Sequence, residues 1–184
     1  MNTNRLIEEK YWSQFIKIGN SVKSDVNPSG KRIKTKHDGQ RFEDLIEELL
    51  NLEYKHIIWN RTKTTHDGNK DFIGVCDNEI FWAECKNYKT KIDLKTLAAT
   101  LVMAEIQYIN SIFFFCYSEI NKNTKTKLNS FAVTNGKNIF FFDGIVLDQL
   151  ILKHREEILP KYFPRYYEEV KDQKIFATKH QPIA

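Results

Sequence analysis

With 184 residues, 41% of them hydrophobic and 28% charged, the chain reads as one soluble globular domain with a real core and some peripheral decoration. No apolar run reaches the roughly 18 residues that a membrane-spanning helix needs. The N-terminus lacks the basic-then-apolar order of a secretory signal, so a cytoplasmic protein without a membrane partner is expected. The formal charge of +4 favours a nucleic-acid partner only weakly.

The first predicted element is a helix over residues 5–18, from the spacing of Leu6, Ile7, Tyr11, Phe15 and Ile18. Residues 19–37 hold Gly19, Pro28 and Gly30 among polar neighbours and are expected to form a loop or mobile arm. That arm is basic. From Lys17, at the end of the predicted helix, to Lys36, the chain carries Lys17, Lys23, Lys31, Arg32, Lys34 and Lys36, opposed only by Asp25. A second helix is predicted over 40–52, with Phe42, Leu45, Ile46, Leu49 and Leu50 as its apolar stripe. Residues 54–59 read as a strand, 61–70 as a polar link, and 71–76 and 80–86 as two further strands.

Only Asp77-Asn78 and a flanking residue separate the last two strands, which implies an antiparallel hairpin. A turn centred on Asp77 and Asn78 sets residue 71 opposite residue 84. Opposed side chains have Cβ atoms about 4.5–5.5 Å apart. Glu84 and Lys86 share a face of their strand, and Cys85 points the other way. Charges buried on a sheet are costly unless they are paired or bind something. Asp71, Glu84 and Lys86 are therefore the candidate site, a carboxylate pair able to grip one divalent ion against a phosphate.

After residue 86 the pattern alternates: helix 94–108, strand 112–117, helix 124–133, strand 138–142 and a helix 146–158 broken by Pro160. Such alternation implies crossover connections, hence an α/β fold with a mixed central sheet flanked by helices. The tail from residue 161 places Phe163, Tyr166, Tyr167 and Phe176 among charges, as an extension covering the body or a linker to another domain. The organisation expected is thus an N-terminal helix and basic arm over 1–37, a core over 38–160 and an extension over 161–184. Cys76, Cys85 and Cys116 each sit inside an apolar run without a Cys-x-x-Cys pair, so they read as buried, reduced thiols.

Asp71, Glu84 and Lys86 resemble the active-site signature of the PD-(D/E)xK nuclease superfamily. Gly68-Asn69-Lys70-Asp71 and Glu84-Cys85-Lys86 resemble its Mrr-type restriction endonuclease branch in particular, and Phe42-Glu43 resembles the helix-borne Phe-Glu pair of that branch. The resemblance covers roughly residues 38–150. Lys70 stands where the superfamily's eponymous proline would be. The resemblance implies a restriction-endonuclease-like core and a metal-dependent endonuclease acting on DNA as a bacterial restriction or antiphage effector. It implies Asp71, Glu84, the Cys85 carbonyl and Glu43 as ligands of Mg²⁺, for which Mn²⁺ substitutes. Glu43, Asp71, Glu84 and Lys86 are the implied catalytic set. Lys86 is expected to act as a charged group that orients water or stabilises the phosphate, because two nearby carboxylates favour its protonated form.

Lys31, Arg32, Lys34 and Lys36 on the arm, Arg61, Lys63 and Lys70 before the hairpin, and Asn87 and Lys89 after it are the expected nucleic-acid contacts. Phosphate contacts of this kind give affinity without sequence recognition. A homodimer or higher oligomer is expected, two copies allowing double-strand cleavage, and a sensor or ATPase region is expected outside this segment, which has no phosphate-binding Gly-x-x-x-x-Gly-Lys-Ser/Thr loop. Each residue also has a plainer reading. Glu84 and Lys86 alone are an ordinary surface pair, Glu43 a solvated helix carboxylate, and the lysines scattered solubilising charges. Asp67 shapes an Asp-Gly turn, and His37 and His66 lack metal spacing. The alternative functions are a junction or RNA nuclease, a catalytically inactive nucleic-acid-binding module, and an interaction domain with incidental charges.

Overall fold

The computed structural model describes residues 5–20, 38–62 and 70–173. Seven helices and five strands follow in the order α1 (Glu9–Asn20), α2 (Asp38–Glu53), β1 (Ile58–Arg61), β2 (Phe72–Cys76), β3 (Glu79–Lys86), α3 (Leu94–Ile106), β4 (Ser111–Cys116), α4 (Lys122–Thr134), β5 (Asn138–Asp143), α5 (Ile145–Lys153), α6 (Arg155–Tyr162) and α7 (Pro164–Val170). The basic arm with Lys31, Arg32, Lys34 and Lys36, and Lys63 in the later link, lie outside the described residues.

The strands form one sheet in the order β1-β2-β3-β4-β5. β1, β2 and β3 are antiparallel, and β3, β4 and β5 are parallel. The short turn forces the first arrangement. Cys76 pairs with Glu79 and Phe72 with Ala83, and Asp77 takes the turn with φ of +50°, a left-handed conformation that aspartate tolerates. Helices α3 and α4 supply the crossovers that parallel strands require. β4, fully buried along its length, is the continuous apolar run expected of a central parallel strand.

Alternation along β3 divides the core into two layers. Trp82 joins Ile112, Phe114, Leu97, Leu101 and Leu128 under α3 and α4. Ala83 joins Phe42, Leu45, Leu49, Phe113 and Phe115 in the opposite layer, against α1, α2 and the C-terminal helices. All five residues of the α2 stripe are buried there. The helix expected from residue 5 begins at Glu9; in α1 Tyr11 and Phe15 are buried as expected, with Trp12 and Ile16 added, and in the segment before it Ile7 is buried while Leu6 is exposed.

Three expectations need correction. Residues 54–57 are not strand. Tyr54 N–H donates to Leu50 O and Ile57 N–H to Tyr54 O, so the chain turns off the end of α2 while the Tyr54 ring packs on Phe113 with centroids 5.2 Å apart. The helix expected over 146–158 is two helices meeting at His154, whose Nε2 lies 2.8 Å from Glu53 Oε2. Pro160 lies inside α6 rather than ending it. Proline removes one N–H from the ladder, and the following turn still closes through Phe163 N–H to Leu159 O. The tail to residue 173 covers the body, with Phe163, Tyr166 and Val170 buried on the α1 layer.

Candidate active site

The hairpin register carries the acidic pair. Pairing runs from Cys76–Glu79 to Phe72–Ala83, so the next residues outward are Asp71 and Glu84. At this point the ladder passes from backbone to side chain. Asp71 N–H donates to Ala83 O at 3.0 Å, and Asp71 Oδ2 accepts from Cys85 N–H at 2.6 Å. The Asp71 carboxylate is thereby fixed beside the β3 backbone between Glu84 and Lys86. Thr62 holds the same segment from behind, its N–H donating to Asp71 O at 2.8 Å and its hydroxyl to Lys70 O at 2.6 Å.

Glu84 and Lys86 lie on the α3–α4 side of the sheet, the side of Trp82, with Phe114 and Cys116 as their β4 neighbours. Glu84 is 3% exposed. Lys86 Nζ donates to Glu84 Oε1 in a close ion pair. Burial disfavours the ammonium, but Glu84, by charge and hydrogen bond, and then Asp71 outweigh it, so the Lys86 pKa is raised above its usual 10.5. Lys86 is thus held as a cation, as its two carboxylate neighbours require. The Cys85 thiol lies in the other layer. Burial first, then the charges of Asp71, Glu84 and Glu43, push it well above its ordinary 9.0. It stays a neutral thiol, so Cys85 has only its backbone carbonyl to offer a hard cation.

Glu43 is half-buried on α2, which packs against β3 from the opposite layer. Its charge acts on Cys85 together with those of Asp71 and Glu84. Among the described residues, no three His, Cys, Asp or Glu side chains close into a metal-holding group by themselves. The donor set nevertheless fits a hard cation in kind. Mg²⁺ is commonly held by one or two carboxylates, with waters and substrate oxygens completing its shell. Asp71 and Glu84, backed by a carbonyl and by Glu43, are donors of that kind.

The expected nucleic-acid contacts divide. Asn87 is half-buried and Lys89 exposed, immediately beyond the end of β3. Arg61 is instead engaged by α2, Nη1 with Asp44 Oδ1 at 2.8 Å and Nη2 with Glu47 Oε2 at 2.7 Å, and its guanidinium lies 5.4 Å over the Phe72 ring. Lys70 is buried, with Nζ 4.4 Å from the centroid of the Trp82 ring.

Two neighbours of the site have no signal in sequence spacing. Lys86, Cys116 and Asp143 form one row across β3, β4 and β5. Buried Asp143 pairs with Lys125 at 2.6 Å and accepts from Ile120 N–H at 2.6 Å. Ile120 bridges to Ile92, Tyr117 N–H donates to Lys86 O, and the Ser118 hydroxyl donates to Tyr88 O. The segment leaving β3 is therefore stitched to the segment leaving β4, and Asp143 pins that seam. These residues come from elements far apart in the chain, so only the parallel register brings them together.

No helix among the described residues is long and apolar enough to cross a membrane. No curated protein sequence matches the chain. Among solved structures, the DNA modification-dependent restriction endonuclease AspBHI is similar over 89% of this chain and 40% of its own, at 14% identity and a TM-score of 0.52. The MspJI restriction endonuclease, solved in complex with a 27-mer oligonucleotide, is similar over 94% of this chain and 37% of its own, at 9% identity and a TM-score of 0.52. The chain thus spans about two-fifths of each of these proteins, and the likeness is one of fold. The restriction endonuclease family model for the Mrr catalytic domain matches residues 35–151, more than half of the sequence and the whole stretch from α2 through the hairpin to α5, and the chain belongs to that restriction endonuclease family.

Proposed function

We propose that this chain is a divalent-metal-dependent deoxyribonuclease that hydrolyses DNA phosphodiester bonds, as part of a bacterial restriction or antiphage system. The observation that carries this reading is the end of the β2–β3 hairpin, where Asp71, Glu84 and Lys86 meet at one rim of the sheet. Asp71, Glu84, the Cys85 carbonyl and Glu43 are the residues that would hold Mg²⁺ or Mn²⁺. Such an ion, when bound, polarises a phosphoryl oxygen and eases ionisation of a water.

The chain's own residues do the rest. Lys86 is a cation with a raised pKa, so it donates rather than accepts a proton at neutral pH. It stabilises charge on the phosphate or orients the attacking water, and it does not serve as the base. Asp71 is oriented by the Cys85 N–H, which fixes the direction of its carboxylate. Asn87 and Lys89 extend the site toward the phosphate backbone as the chain leaves β3. One site cuts one strand, so a double-strand break takes two copies.

A panel of linear duplex, nicked, branched and RNA substrates with Mg²⁺ or Mn²⁺, and a chelator control, tests the reading. Metal-dependent cutting of duplex DNA is expected. Cutting confined to junctions or RNA, or binding without cutting in either metal, contradicts it.

A further inference from the structure

The acid–lysine pair of the hairpin occurs a second time, two strands away. Glu84, 3% exposed, holds the ammonium of Lys86 at the end of β3. Asp143, 2% exposed, holds the ammonium of Lys125 at 2.6 Å at the end of β5. In each pair the acid is shut in the core and the lysine reaches the surface, with side chains 17% and 34% exposed. Lys86 pairs with Cys116 and Cys116 with Asp143. Opposed residues of neighbouring strands share a face, so the two pairs stand on one side of one rim, two strand spacings or about 10 Å apart. Cys116 lies between them and feels both. Burial first raises its thiol pKa from 9.0, Asp143 and Glu84 add to that, and Lys86 and Lys125 oppose it.

A buried carboxylate needs a partner, and Lys125 supplies one. Its placement does more than neutralise. An ammonium has three N–H donors, and Asp143 accepts one of those of Lys125. Phe141 lies against the same ammonium, its ring centroid 5.9 Å away. A surface lysine loses rotamer freedom when it grips a ligand. Here the acid and the ring hold the side chain before any ligand arrives, and a preorganised group binds at lower cost. β3, β4 and β5 run parallel and end at this rim, and open α/β sheets bind ligands outside the carboxyl ends of their strands. A nucleic-acid strand carries its charges in a row. A strand with one phosphate at Lys86 therefore brings another toward a cation held about 10 Å along the rim.

We propose that Lys125, held by Asp143, grips a second phosphate of the DNA strand whose scissile phosphate lies at Lys86, so that this strand crosses the rim from β3 toward β5. Resting on the nuclease reading of the hairpin, this assignment adds the course of the substrate strand and a residue that holds it.

The test is binding of a labelled duplex oligonucleotide in chelator at several salt concentrations, with plasmid nicking in Mg²⁺ on the same samples. Lys125→Gln is expected to reduce the slope of log affinity against log salt by about one and to raise the half-saturating DNA concentration for nicking about fivefold, with turnover less affected. Lys125→Arg is expected to keep the slope. Lys127→Gln, at an exposed position two residues on that faces another way, is expected to keep it too. Asp143→Asn combined with Lys125→Gln removes the buried charge together with its partner. If Lys125 only neutralises Asp143, this double variant regains the wild-type slope, which overturns the proposal; the expected slope is that of Lys125→Gln. A wild-type slope in Lys125→Gln, or an equal loss in Lys127→Gln, also overturns it while wild-type binding and cutting leave the nuclease reading intact. A folded wild type that neither binds nor cuts DNA overturns that reading, and this one with it.

Discussion

Arg61 and Lys89 are both cations beside the acidic hairpin, and the groups around each decide its use. Arg61 is spent on Asp44 and Glu47 of α2 and on the face of Phe72, whereas Lys89 is exposed beyond the end of β3. Arg61→Ala is therefore expected to cost about 1 kcal/mol of stability, the scale of partly exposed ion pairs, and to leave the salt dependence of DNA binding unchanged. Lys89→Ala is expected to do the reverse, reducing the slope of log affinity against log salt by about one. Urea unfolding and binding titrations at several salt concentrations check both. Identical salt slopes for Lys89→Ala and wild type, or a reduced slope for Arg61→Ala, contradict the assignment. The acids and Lys86 were legible from spacing, since side chains two apart on a strand share a face. The engagement of Arg61 was not, because its partners lie on another element.

At the scale of elements, the hairpin sets the geometry of the site, and its packing leaves no slack. A Cβ at Gly74 would lie 2.6 Å from Ile57 Cγ2 and 2.7 Å from Trp59 Cζ3. Gly74→Ala is expected to cost about 1–3 kcal/mol by overpacking, measurable as a lower urea midpoint at constant m-value; an unchanged midpoint contradicts it. Helix α2, the hairpin and the alternation of helices and strands from α3 to β5 were readable from apolar period and turn chemistry. The strand expected over 54–57 was misread because Tyr54 is apolar in a β-like run yet serves as the closing turn of α2 and a lid on Phe113. The division at His154 went unread because its 2.8 Å side-chain contact with Glu53 is a tertiary one. The seam of Asp143, Ile120 and Ile92 was invisible for the same reason.

The whole molecule is closed by a buried anchor at its N-terminal end. Asp148 on α5, fully buried, receives Arg5 Nη2 at 2.6 Å, Leu6 N–H at 2.8 Å, Ile7 N–H at 3.0 Å and Trp12 Nε1 at 3.0 Å. Removing one partner of a buried pair strands the other, so Asp148→Ala is expected to cost about 3–5 kcal/mol; calorimetry showing an unchanged melting temperature contradicts this. The central claim, that this fold exists to present Asp71, Glu84 and Lys86 to a phosphodiester, is tested most directly by one plasmid-cleavage assay in Mg²⁺ or Mn²⁺ that compares wild type with Lys86→Ala. The prediction is cleavage by wild type and a loss of about a hundredfold or more in the variant, with DNA affinity retained and the fold intact by circular dichroism. Undiminished cleavage by folded Lys86→Ala contradicts it.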